Sequence, residues 1–224
     1  MRIIAVFEKS VRLRHIGHLD IQRAVQRGLR RSGLPVAYSQ GFNPHILVTF
    51  ASALSTGACG EREIMDVRMA EEVDAAVFVE SMNRAMPKEM QILEARAVDD
   101  RHPALSAEMK AAAYDLLIRD PETAQRITDA IPLMMSRTVI PAIRKTKTGR
   151  KECDIRPLIY GISAEGQHVF ATMKLTEQEA CKPDMLLSAL SAEAGLEDPP
   201  RVLITRKALY GENEAGELEP LERL

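Results

Sequence analysis

The chain has 224 residues, long for one compact domain and enough for two of about 100 residues each. Hydrophobic residues make up 46% and charged residues 28%, both signs included, which excludes a disordered or fibrous chain. The formal net charge of -2 hides a sorted distribution: residues 1–31 hold eight Lys and Arg against two acids and residues 137–156 hold seven against two, while acids gather in 61–100 and 214–224.

Residues 2–7 alternate and are rich in Ile and Val, which predicts a strand. The apolar run at 3–7 is too short for a signal-peptide core or a membrane span, and no later segment approaches eighteen consecutive apolar residues, so the expected compartment is the cytoplasm. In 18–33 the residues Ile21, Ala24, Val25 and Leu29 recur at helical spacing, with Gly33 and Pro35 as stop signals. Strands are expected at 46–50 and 64–69, a helix at 73–86 ended by Pro87, and a strand at 91–98. The order is β-α-β-β-α-β.

The second half repeats it. A strand at 112–119 precedes a helix at 121–134, with Pro121 in the first turn and Pro132 expected to end or kink it. Strands at 154–163 and 168–175 flank an AEGQ turn, a helix covers 183–194 and a strand 201–210; a short β piece at 137–143 precedes a basic loop. The expected fold class is α+β, tandem ferredoxin-like, with antiparallel sheets and helices on one face. Its domains are 1–100 and 111–210, joined near 99–110 and followed by an acidic tail at 211–224. One larger α+β domain with a shared sheet is the alternative.

Arg23, Arg27 and Arg30 fall at i, i+4 and i+7 on the first helix, with Arg31 beside them and no acid between Gln22 and Arg31. A solvated face usually mixes signs, so this stripe reads as a polyanion-binding surface. The second cluster, Lys145, Lys147, Arg150, Lys151 and Arg156 around Gly149, reads as a flexible hairpin or loop between β-like segments, which can follow a phosphate backbone or form a solvated turn. Between them AYSQGFNPH crowds Tyr38, Phe42, Asn43 and His45 into a turn that Gly41 and Pro44 shape. Aromatics beside cations suit stacking on bases; a packed corner is the plainer reading.

His15 and His18 lie three residues apart, but metal ligation would need them on a common face with a third ligand and His15 falls ahead of the helix, so no metal site is expected. Asp20 suits the first helical turn, or orients a nearby arginine. Cys59, Cys153 and Cys181 form no C-x-x-C pair and read as structural thiols, and no cofactor is expected.

The run HLDIQRAVQRGLRRSGLPVAYSQGFNPH, then FASALSTG, then Glu63 and Asp66 in EREIMDV, resembles the radical SAM-associated family of unknown function (the DUF2344 type). GRKECDIRPLI resembles that family's basic-loop segment. Gly17 stands where the family has serine, losing a hydroxyl cap, and Ile46 where it has a second proline. The resemblance implies a radical SAM protein as partner, since C-x-x-x-C-x-x-C is absent from this chain. The expected function is a non-catalytic accessory protein that binds RNA (tRNA or rRNA) and acts with that enzyme, not at a membrane. Two alternatives stand. One is a metal-independent RNA endonuclease of the tandem ferredoxin-like type, with His45 or His18 as base and Tyr38 or Arg30 assisting. The other is a protein-interaction module without nucleic acid.

Overall fold

The computed structural model describes residues 1–146 and 149–224. The chain is mixed α+β, its strands mostly antiparallel, with five α-helices among the described residues. It divides into two compact units, Met1–Met109 with Arg206–Leu224, and Lys110–Thr205.

In the first unit β1 (Arg2–Lys9) is central. It pairs antiparallel with β3 (Ala58–Arg68), Phe7 opposite Glu63, and with β4 (Ile92–Val98), Arg2 opposite Val98. β2 (Val48–Phe50) pairs with β3, so the local order is β4-β1-β3 with β2 beyond β3. α1 (His18–Ser32) buries Ile21, Val25, Gly28 and Leu29 and ends where Gly33 takes φ +73°, a conformation glycine reaches without strain. α2 (Ala75–Ala85) starts at Asp74, whose carboxylate accepts from the backbone N–H groups of Ala76 and Val77. Both helices cover one face of the sheet: Ile3, Ala5, Phe7, Met65 and Val67 share a core with Val25, Leu29, Phe78 and Met82. Residues 99–110, read as a linker, hold a short helix, α3 (Leu105–Glu108), with Leu105 and Met109 buried.

The second unit runs β5 (Ala111–Ile118), α4 (Pro121–Met135), β6 (Pro141–Thr146), β7 (Gly149–Asp154), β8 (Ile159–Glu165), β9 (His168–Lys174) and α5 (Pro183–Glu193). β10 (Val202–Glu212) begins in this unit and ends in the first; the local order is β10-β5-β9-β8, and β6 pairs only with β7. The 211–224 stretch carries β11 (Leu218–Pro220), paired with β10, and a single 3-10 turn at Leu221–Arg223 that touches β1 and buries Leu221.

Three local readings change. The strand expected at 46–50 is shorter, because Ile46 bridges Tyr38 across the preceding loop. The single strand expected at 154–163 is divided: Asp154 accepts from Ile140 N–H (2.8 Å) and Arg156 N–H (2.9 Å), and Pro157, lacking an N–H, sits in a 3-10 turn. α4 runs three residues past Pro132 to Met135, since a proline in the last turn removes only one helical bond. No helix is long and apolar enough to cross a membrane.

Candidate nucleic-acid interface and a buried charge cluster

The 37–45 stretch is a closed protrusion. Tyr38 and Ile46 form an antiparallel bridge, Leu47 N–H donates to Ala37 O at 3.0 Å, and Ser39 N–H to His45 O at 2.8 Å. The Ser39 hydroxyl accepts from His45 N–H (3.1 Å) and lies 2.8 Å from His45 Nδ1. Gly41 at φ +119° turns the tip, a region open to glycine at no steric cost. Phe42 beside it is fully exposed, Tyr38 is 44% exposed, and Asn43, Pro44 and His45 lie in solvent. His45 lines an open cavity of about 420 Å³ with Arg2, Thr49, Arg68 and His102. Arg2 there is bound to Asp66, which raises its guanidinium pKa.

On α1 the four arginines are all exposed but not equally free. Arg23 pairs with Asp20 at 3.0 Å and Arg31 donates to Ala85 O at 2.6 Å. Arg27 and Arg30 have no hydrogen bond or ion pair among the described residues. Free cations therefore lie on the C-terminal half of α1, which leads directly into the loop.

In the second unit β6 and β7 set Arg144 opposite Lys151 and Lys145 opposite Arg150 in register. Like charges facing each other across a strand pair repel. Arg144 donates to Ala180 O at 3.3 Å, Arg150 and Lys151 are exposed, and Arg156 is half-buried. Lys147, and the side chain of Lys145, lie outside the described residues.

His18 sits apart from His45. It is beside Phe7 and Glu63 and not beside Arg2 and Arg68, about 17 Å away along β1 at five residues of strand. The two histidines do not form one site. His18 stands edge-on to Phe50 (centroids 5.3 Å apart) and lines a cavity of about 10 Å³, room for about one water.

That cavity borders a cluster that sequence reasoning missed. Arg206, 2% exposed, donates from Nε to Glu63 Oε1 at 2.8 Å and from Nη2 to Glu63 Oε2, and reaches the Ser52 hydroxyl and carbonyl at 3.3 Å. Lys9, also 2% exposed, donates to Ile16 O (2.9 Å), Ala58 O (3.0 Å) and Arg14 O (3.5 Å). Burial lowers the Lys9 pKa, and it lowers that of His18 with help from Arg206 and Lys9. The two cations fasten residues 14–16, 52 and 58 to the end of the sheet, and so hold the start of α1. The cavity is too small for a substrate; the chemistry of this cluster is positioning. Its one sequence signal was the alternation of β3, which puts Glu63 on the face of Met65 and Val67.

Among the described residues no three His, Cys, Asp or Glu side chains group as metal ligands. Burial pushes the Cys181 thiol up to about 12. A family model described as an uncharacterized protein conserved in bacteria (DUF2344) matches residues 2–183. The chain belongs to the DUF2344 family. The DUF2344 span takes in the loop, the α1 arginines, the β6–β7 hairpin, Lys9, His18, Ser52 and Glu63, while Arg206 lies beyond it. No curated protein matches the chain.

Proposed function

We propose that this DUF2344 protein is a non-catalytic RNA-binding accessory protein, its RNA a tRNA or rRNA, working with a radical SAM enzyme. One observation carries the RNA reading: Phe42 stands fully exposed at the tip of a closed loop, with Tyr38 in the same loop. A single exposed apolar residue means little. Two aromatic rings in a loop that follows the unpaired Arg27 and Arg30 match what single-stranded bases require, faces to stack on and cations for the backbone. The other RNA-binding route for such a sheet, aromatic side chains on an open face, is not offered by β1, whose second face carries Ile4 and Val6, both buried. The strand orders β4-β1-β3 with β2, and β10-β5-β9-β8, support reading both units as ferredoxin-like, the β6–β7 hairpin being an insertion in the second.

The partner is proposed from the family resemblance together with the absence of C-x-x-x-C-x-x-C in this chain. The test is crosslinking in cells followed by sequencing of the attached RNA and mapping of the crosslinked peptide. One discrete RNA joined to residues 37–46, with a radical SAM protein co-purifying, is the expected result. Crosslinks spread over unrelated RNAs and absent from that peptide would overturn the RNA reading.

A further inference from the structure

The second unit has the kind of sheet face that β1 does not offer. Where β5, β9 and β8 run side by side, Leu116, Val169, Ala171 and Met173 are buried on one face. The alternate residues form the other face, with Asp115 of β5 and Ser163 of β8 on either side of Phe170 in register. There the β8 residues are exposed and those of β5 and β9 half-buried, so this face is open. We propose that it is a second RNA-binding surface, on which bases of a single strand stack against His168 and Phe170. The proposal rests on the RNA reading above and adds a contact surface to it.

The rings of His168 and Phe170 lie within 8° of parallel, their centroids 5.9 Å apart. Asp115 fixes the imidazole, its carboxylate oxygens 2.8 Å and 3.1 Å from His168 Nδ1. Nδ1 therefore carries the proton, and Nε2 is left to accept from a ligand. Aromatic side chains on a four-stranded sheet of this kind stack two or three bases, and β9 is a central strand in the order β10-β5-β9-β8. The bed beside Phe170 is low. Ala113 and Gly161 flank Thr172, and a Cβ added at Gly161 would meet no atom within 4 Å, so a flat ring has room to lie there. The Ser163 and Thr172 hydroxyls border that bed and can pair with base edges. An apolar protein partner would find little to bury, since Leu117 is the one large aliphatic side chain that these strands present on this face among the described residues.

The charges are arranged for a phosphate backbone running past the rings. Arg119, just beyond β5 at the His168 end, is exposed, and its side chain has no hydrogen bond or ion pair among the described residues. At the other end of β9 the residue after Lys174 bridges Ala180, whose carbonyl ties down the β6–β7 hairpin through Arg144 at 3.3 Å, and Arg150 and Lys151 of that hairpin are exposed. Cations at both ends can neutralise phosphates. Glu165, exposed opposite His168, repels a phosphate from the rings themselves and leaves that position to a base.

The test measures binding of a labelled, unstructured single-stranded RNA of mixed sequence to the full chain by fluorescence anisotropy. His168→Ala with Phe170→Ala should weaken binding about tenfold or more and leave the salt slope unchanged, because stacking is lost and no cation is. His168→Phe with Phe170→Tyr keeps both rings and should bind within about threefold of the wild type. Melting curves check that both double variants fold. Equal affinity of the wild type and the double alanine variant overturns the surface, and the loop reading then still stands on Tyr38 and Phe42. Equal weakening in both double variants also overturns it, because ring stacking would not be the cause. Loss of a co-purifying protein from the double alanine variant, with RNA affinity unchanged, gives the face to that protein and overturns the proposal as well. No binding by the wild type at low salt removes the loop reading and this surface together.

Discussion

At position 206 a guanidinium is buried against the Glu63 carboxylate, and removing that carboxylate would leave the buried charge without this ion pair. Losses of this kind cost about 3–5 kcal/mol. Glu63→Ala therefore lowers the unfolding free energy in urea by about that much, and adding Arg206→Met recovers most of it. A cost within about 0.5 kcal/mol would place the pair among surface ion pairs and contradict its burial. His18 gives a pH signature. Its folded pKa is lowered, so below its ordinary 6.5 the unfolded chain binds more protons. The stability it contributes is complete above pH 6.5 and falls as pH drops from there toward the folded value. His18→Phe should flatten that slope in melting temperature against pH, and an unchanged slope would mean His18 is not responsible. Neither feature could be read from the chain, because Lys9 looks like the polar end of a strand and Glu63 and Arg206 are 143 positions apart. Asp20 was legible, since a carboxylate three residues before Arg23 on a helix has few other partners.

Among the elements, β3 is shaped by the same cluster. Lys9 pairs with Gly60 just past a register shift, and a Cβ at Gly60 would lie 2.6 Å from Glu63 Cγ and 2.8 Å from its Cδ. Gly60→Ala thus displaces the carboxylate from Arg206 and should cost about 1–3 kcal/mol, read as a fall in melting temperature. In the Glu63→Ala background the same substitution should cost less, because the obstructed side chain is gone; an equal cost in both would show that the effect lies elsewhere. Elements with strong punctuation were legible in advance: α1 with Gly33 behind it, α4 with Pro121 in its first turn, and the β8–β9 turn at Gly166, φ +57°. β6 and β7 were legible only as a hairpin or loop. Their Lys and Arg residues have low strand propensity, and Arg144 facing Lys151 runs against pairing preference. That hairpin is held by register and by the Asp154 bonds at its base.

On the scale of the whole molecule, charge is sorted while the net charge is near zero, so a polyanion would meet two basic regions, α1 with its loop and the β6–β7 hairpin. Each phosphate neutralised adds about 0.7 to the salt slope of single-strand binding. Replacing Arg150 and Lys151 by Gln should reduce that slope without changing sequence preference, whereas loop substitutions should lower affinity at every salt concentration. The aromatic loop and the arginine face were visible in the sequence because both are local. The division of labour between His18 and His45 was not, since only the fold separates them along β1. The central claim, that the 37–45 loop grips RNA, is tested most directly by RNA retention across a salt titration for the wild type and for Tyr38→Ala with Phe42→Ala. Stacking on each ring is worth about 1–3 kcal/mol. The account predicts salt-sensitive retention by the wild type and at least about tenfold weaker binding by the double variant, with its salt slope unchanged. Equal retention by the two proteins, or none by the wild type at low salt, would contradict it.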